Sequence, residues 1–447
     1  MAPTERPAAS GVATDDPAAE ATADTLAAPA AAEAALLANP ELVAKTFGEY
    51  VAAWAKKVRG GEAGMLPVLI GLVIIVIIFR IESSVFLSAG NLTNLLDQSA
   101  TFILLGMAEV FVLLLGEIDL SIGYVSGLGG VLTVYLVGPP NNVPWVVAIV
   151  TGLAATCAIG AFQGLLITRL NLPSFVVTLA GLLGWEGVLI WFVNREGKSS
   201  GGTIRNTNHI INDLVNGNLT PWAGWVFMAL SVALFGLLTL LRDRKRRTTG
   251  LVTPPLALGI LKIVVVAGAG VALVLICNTD RGTHFAAVKG VPWVVPLVVA
   301  MVVGWSFLLG RTRYGRYVYA VGGNAEAARR AGISLNRVRL VAFALTGLTA
   351  GVAGIVYASR LGSISNNVDG GNQVLYAVAA AVIGGTSLFG GRGKMIHALI
   401  GGIVIAAIYN GMGLIGLKAE IQDMVTGLVL LAAVTVDALA RRGRTTR

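Results

Sequence analysis

From residue 65 onward the chain alternates long apolar runs with short polar breaks, and the runs recur at the length that a lipid bilayer selects. A helix needs about 20 apolar residues to cross the hydrocarbon core. Runs near that length lie at 65–86, 95–115, 118–138, 144–168, 174–193, 221–241, 256–277, 292–309, 338–359, 374–389, 395–417 and 421–440. They predict an all-α integral membrane protein of about twelve transmembrane helices, occupying residues 61–441. Only a polar kink separates the second run from the third, and the tenth run is short.

The two ends read differently. Residues 1–38 mix Ala, Pro, Thr and acids, which predicts a disordered cytoplasmic tail. After Asn39 and Pro40, a possible cap and first helical residue, Val43, Phe47, Tyr50, Val51, Trp54 and Val58 recur at spacings of three and four. Lys45, Lys56, Lys57 and Arg59 fall elsewhere on that helix. This predicts an amphipathic helix over 39–60, lying on the cytoplasmic leaflet or packed on another cytoplasmic subunit. Residues 442–447 form a basic C-terminal tail.

Composition agrees with a chain dissolved in lipid: 55% of residues are hydrophobic, 13% are charged and the mean hydropathy is +0.77. The formal net charge of +9 could suggest nucleic acid, but the basic residues sit in short loops and form no basic domain. With the N-terminus inside, the inner loops and flanks hold 22 Lys and Arg, including those at Arg242–Arg247 and Arg311–Arg339, and the outer loops hold eight. That bias predicts an N-in, C-in topology. Cys157 and Cys277 are far apart in apolar runs, and His209, His284 and His397 have no paired acids or Cys beside them. Neither a metal site nor a nucleophilic triad has material here. Gly197-Lys198-Ser199 and Gly393-Lys394 lack the first glycine of a phosphate loop, since Phe192 and Leu388 stand there, so this chain is not expected to bind ATP itself.

Two polar clusters interrupt the pattern. Gly116-Glu117-Ile118-Asp119-Leu120-Ser121-Ile122-Gly123 places two carboxylates between apolar runs. Acids at membrane depth are costly unless paired or hydrated, which favours a broken helix lining a polar path over an ordinary solvated turn. Glu109 and Glu186 are further intramembrane acids. The second cluster lies in the inner loop 310–339, where Gly322-Gly323-Asn324-Ala325-Glu326-Ala327-Ala328-Arg329-Arg330-Ala331-Gly332-Ile333 predicts a short helix capped by Asn324 and ended by Gly332. It reads either as a docking knob or as a plain surface helix. There is also an internal echo. Phe162-Gln163-Gly164-Leu165 resembles Tyr409-Asn410-Gly411-Met412 in a run of opposite direction, the pattern an inverted five-helix repeat would leave, and also one that chance produces in Gly-rich apolar segments.

Taken in order, the motifs at Gly116–Gly123, Gly322–Ile333 and Ile383-Gly384-Gly385-Thr386-Ser387-Leu388-Phe389-Gly390-Gly391-Arg392-Gly393 resemble the ribose/xylose-type permease family of bacterial ABC importers, over roughly 65–440. Glu117 and the extra hydrophobic pair around Arg242–Arg247 are most like its D-xylose branch. The resemblance implies a ten-helix importer core plus an inserted pair, in the bacterial cytoplasmic (inner) membrane. It implies a transport subunit without enzymatic activity, translocating a monosaccharide such as D-xylose, ribose or galactose. Its partners would be a cytoplasmic ABC ATPase carrying ATP and Mg, an extracytoplasmic sugar-binding protein and a second permease copy, with no cofactor in this chain. The candidate substrate path is Glu109, Glu117, Asp119, Ser121, Gln163 and Asn410. The candidate ATPase-coupling set is Gly323, Asn324, Ala327, Ala328, Arg329, Arg330 and Gly332. A competing class is a proton-coupled secondary transporter using Glu109 and Asp119.

Overall fold

Apolar segments in lipid must satisfy their own backbone groups, and this chain does so almost entirely with helices. The computed structural model describes residues 65–248, 256–282 and 287–445, with Gly48 and Ala52. The tail expected over 1–38 and all but two positions of the helix expected over 39–60 lie outside the described residues.

Helices α1 (Leu66–Glu82), α2 (Ala89–Leu113), α3 (Ile122–Val137), α4 (Trp145–Leu170) and α5 (Ser174–Glu196) follow one another. Next come strand β1 (Thr203–Arg205), α6 (His209–Asn216), α7 (Pro221–Thr248), α8 (Leu256–Asn278) and α9 (Val294–Arg311). After α10 (Arg313–Gly323) and α11 (Ala325–Arg330) come α12 (Leu335–Leu361), β2 (Ser363–Ser365), α13 (Gly370–Ile383), α14 (Met395–Leu414) and α15 (Ala419–Thr445). Each of the twelve apolar runs coincides with one of these helices. By length and composition, eight described helices can cross a membrane: α2, α4, α5, α7, α8, α9, α12 and α14. Helices α3 and α13 are shorter apolar helices.

Hydropathy places the start of α2 six residues late. The helix begins at Ala89, where Ser88 Oγ accepts the Asn91 amide at 3.3 Å. Its first turns are polar yet largely buried, and they find partners: Asn91 and Asn410 exchange side-chain amide hydrogen bonds at 2.8 and 3.0 Å. The small pieces β1, β2 and α6 were not legible in the apolar pattern. Strands β1 and β2 pair antiparallel, Ile204 opposite Ile364, and Asn208 caps α6.

The chain divides into two units. Among the described residues, the smaller one takes in Gly48, Ala52, 233–248 and 256–266, and within it the facing parts of α7 and α8 lie side by side with Gly236 against Ile263. The larger unit holds the rest of the described helices. Its central elements are α2, buried along 89% of its most apolar stretch, and α12, which lies against α2, α3 and α4. The α12 contacts are backbone to backbone: a Cβ on Gly354 would collide with the Ser126 carbonyl of α3, and one on Gly347 with the Thr156 carbonyl of α4. Helix α14 packs on α2 and α13.

Candidate functional site

Two helix breaks of the larger unit are closed in the same way. At the end of α2, Gly116 has φ 75°, its amide donates to Leu113 O at 2.9 Å, and the Glu117 amide donates to Val112 O at 3.0 Å. At the end of α13, Gly385 has φ 108°, its amide donates to Val382 O at 2.9 Å, and the Thr386 amide donates to Ala381 O at 2.9 Å. Both are Schellman closures, which need a residue at positive φ and so favour glycine.

Between the first break and α3, Asp119 is 2% exposed, so the solvated-turn reading does not hold. Its Oδ1 accepts from the Ser121 amide at 2.9 Å and from Ser121 Oγ at 2.7 Å. Ser121 Oγ in turn accepts from Gln163 Nε2 at 2.9 Å, which ties the break to α4. Thr178 Oγ1 donates to Ile118 O at 3.3 Å, tying it to α5. Glu117 Oε1 lies 3.0 Å from Arg339 Nε, an ion pair by charge and distance whose N–H is not directed along the contact. Glu109 is fully buried on α2, and neither of its oxygens has a hydrogen-bond partner among the described residues.

The six candidate path residues therefore do not form one constellation. Asp119, Ser121 and Gln163 are bonded in a row, and Glu109 lies within electrostatic reach of Asp119. Asn410 stands apart and pairs with Asn91. The Gln163 and Asn410 motifs thus sit at two separate helix contacts. Glu186 accepts from Tyr124 OH at 2.8 Å.

The loop between α9 and α12 reaches both breaks. The Gly391 amide, in the second break, donates to Leu114 O at 2.9 Å in the first. Gly322, near the end of α10, fits against that same carbonyl and against the Gly391 amide. Tyr319 OH, one turn earlier, donates to Gly393 O at 2.8 Å.

Helix α11 continues from α10. Asn324 Oδ1 accepts the Ala327 amide at 2.9 Å. The far end closes with Gly332 at φ 80°, its amide donating to Arg329 O, and the Ile333 amide donating to Ala328 O, each at 3.0 Å. Cap and stop stand where the sequence places them, but the helix is shorter, Ala325–Arg330. The docking set loses one member. Ala328 is 4% exposed and belongs to the chain's own buried core, so its methyl seats the helix and is not offered to a partner. Gly323, Asn324, Ala327, Arg329 and Arg330 are exposed. Both arginines pair with Glu326, at 2.9 and 3.1 Å, and hold its carboxyl below the usual carboxylate range.

Over residues 91–434 the chain matches the family described as branched-chain amino acid transport system / permease component. The chain belongs to this family. The xylose transport system permease protein XylH of Escherichia coli K12 is 36% identical over 364 residues, covering 80% of this chain and 87% of its own length. XylH of Haemophilus influenzae is 33% identical over 383 residues, covering 85% and 98%. The ribose import permease protein RbsC of Escherichia coli K12 is 29% identical over 369 residues, covering 83% and 92%. No solved structure matches. Within this permease family the chain is a multi-pass membrane transport subunit. Its Glu117–Arg339 pair and its Tyr319 and Gly322 contacts were missed from sequence, although Gly322 opens the inner-loop motif.

Proposed function

We propose that the chain is the transmembrane permease subunit of an ABC importer that carries a monosaccharide, D-xylose in the first instance, across the cytoplasmic (inner) membrane. The observation that carries the reading is the α10–α11 segment, an exposed capped helix whose stem is bonded to the second helix break and packed against the first. A partner that moves α11 acts on the breaks directly. The partner in this reading is a cytoplasmic ATPase that holds ATP and Mg. An extracytoplasmic binding protein delivers the sugar, and a second permease copy completes the pathway. The xylose and ribose permeases among the relatives support a sugar over the amino acid in the family description.

In this reading all twelve apolar helices cross the membrane, with both termini inside as the Lys and Arg bias supports. Helices α7 and α8 form the inserted pair. The substrate path runs past Asp119, Ser121 and Gln163, with Glu109 and Glu117 beside it and Asn410 bracing α14 on α2.

The docking surface is tested at Ala327, which is exposed where Ala328 is not. Ala327→Asp places an unpaired carboxylate at the contact, which should cost several kcal/mol of association. The permease should insert normally but lose the ATPase on co-purification. Retention of the ATPase with sugar-stimulated hydrolysis would remove α11 from that role. The sugar is tested by growth: a deletion strain should fail on D-xylose at low concentration, and growth matching wild type would remove the xylose assignment.

A second reading rests on Glu109. A fully buried carboxyl without hydrogen-bond partners, near Asp119, is also what a proton-coupled carrier would place in its path. The requirement for an ATPase separates the two readings.

A further inference from the structure

At the end of the larger unit away from the helix breaks, polar groups gather that no part of the path described above uses. Asp97, Gln98 and Thr101 occupy adjacent turns of α2. Asp97 Oδ1, Gln98 Oε1 and Thr101 Oγ1 are all buried with no hydrogen-bond partner among the described residues. Gln98 is 7% and Thr101 4% exposed. Buried polar atoms are nearly always partnered, so three together on one stretch of helix call for a ligand or bound water to complete them.

Groups on α12 and α14, both of which pack on α2, suit a particular ligand. Arg360, near the end of α12, lies within electrostatic reach of Asp97, Tyr357 and Tyr409, and makes no hydrogen bond or close ion pair among the described residues. The Tyr409 ring meets Phe102 and Tyr376 edge-on, each at 5.9 Å between centroids, and the residue remains exposed.

We propose that Asp97, Gln98, Thr101, Arg360 and Tyr409 form a binding site for a neutral monosaccharide, which it occupies before it reaches the helix breaks. The chemistry selects that class. Asp97 and Gln98 accept, Arg360 donates and Thr101 does both, which matches hydroxyls that are themselves donors and acceptors. Asp97 lies in reach of both Arg360 and Arg281, and Arg281 is already taken up by Thr93, Asn218 and two backbone carbonyls, so the open pair is Asp97 with Arg360 and an anion or a cation would leave one of them unmatched. An aromatic face suits the C–H side of a sugar ring. An amino acid zwitterion would match the two charges but leave Gln98 and Thr101 unpartnered. The proposal rests on the sugar-import reading for its place in a transport cycle, but the binding itself can be measured on this chain alone.

The test is saturation-transfer NMR on the purified full chain in detergent, with D-xylose and L-leucine as probes. Transfer to the xylose ring protons is expected, and none to leucine. Thr101→Val, which keeps side-chain volume, and Gln98→Leu should each weaken xylose binding about tenfold in a titration. Asp97→Asn should weaken it at least as much. No transfer to xylose from the wild-type chain would overturn the site, as would equal transfer to leucine or unchanged binding in variants that run monodisperse. Import by the chain with its ATPase is measured in parallel. Binding without import leaves the site standing and removes the import reading, and import without binding does the reverse.

Discussion

Replacing Asp119 by Ala should leave a permease that inserts at normal levels and takes up almost no sugar. One oxygen of Asp119 accepts from both the amide and the hydroxyl of Ser121, and that hydroxyl holds Gln163. Removing it takes away two hydrogen bonds to Ser121 just before α3, each worth about 0.5–1.5 kcal/mol. Folding stabilities are about 5–15 kcal/mol, so the protein survives. The break itself does not keep its shape, because Ser121 loses its acceptor and Gln163 is left holding an unanchored hydroxyl. Uptake of labelled D-xylose, normalised to the amount in the membrane, should fall by at least about tenfold, the equivalent of roughly 1.4 kcal/mol. Asp119→Asn keeps an acceptor in the same place and should fall less. Normal uptake by the Ala variant would show that the break does not serve transport.

Gly322→Ala should have an effect of comparable size for a different reason. A methyl there would run into the Leu114 carbonyl and lie 2.7 Å from the Gly391 amide, the two groups whose hydrogen bond joins the breaks. Neither neighbour is a side chain that can rotate aside. The contact must open, at a cost of about 1–3 kcal/mol for overpacking plus about 1 kcal/mol for the lost hydrogen bond. The expected result is a lower melting temperature in detergent together with loss of uptake, even though no charge or polar group has changed. Gly304→Ala, in α9 with open space around the new methyl, is the control and should match wild type in both measurements. A Gly322→Ala protein with wild-type melting and uptake would mean that α10 does not join the breaks.

How much of this was legible in the sequence depends on the kind of signal. Membrane helices follow from length and apolarity with no need of a partner, so every apolar run fell on a helix. The closures at Gly116 and Gly332 were also legible, because a glycine between a helical pattern and a polar break marks a local backbone requirement, whereas the one at Gly385 was not, since the apolar run 374–389 continues past it. Contacts between distant segments were not legible. Asn91 and Asn410 are 319 residues apart, and nothing in either local pattern names the other. The pairing of Glu117 with Arg339 was hidden because the arginine had already been explained by the inside bias of the loops. That Ala328 stands in the docking set beside Ala327 has a simple reason. A short Ala and Arg segment has no apolar stripe of its own, and only the burial of Ala328 beside the exposed Ala327 shows which methyl faces inward.

The measurement that bears most directly on the account is uptake by the purified chain in proteoliposomes, with and without an ABC ATPase and a sugar-binding protein. The account predicts accumulation of D-xylose only when both partners are present and ATP is on the ATPase side, with ATP hydrolysis stimulated by the sugar-loaded binding protein. Accumulation by the chain alone, driven by a proton gradient and indifferent to ATP, would contradict it.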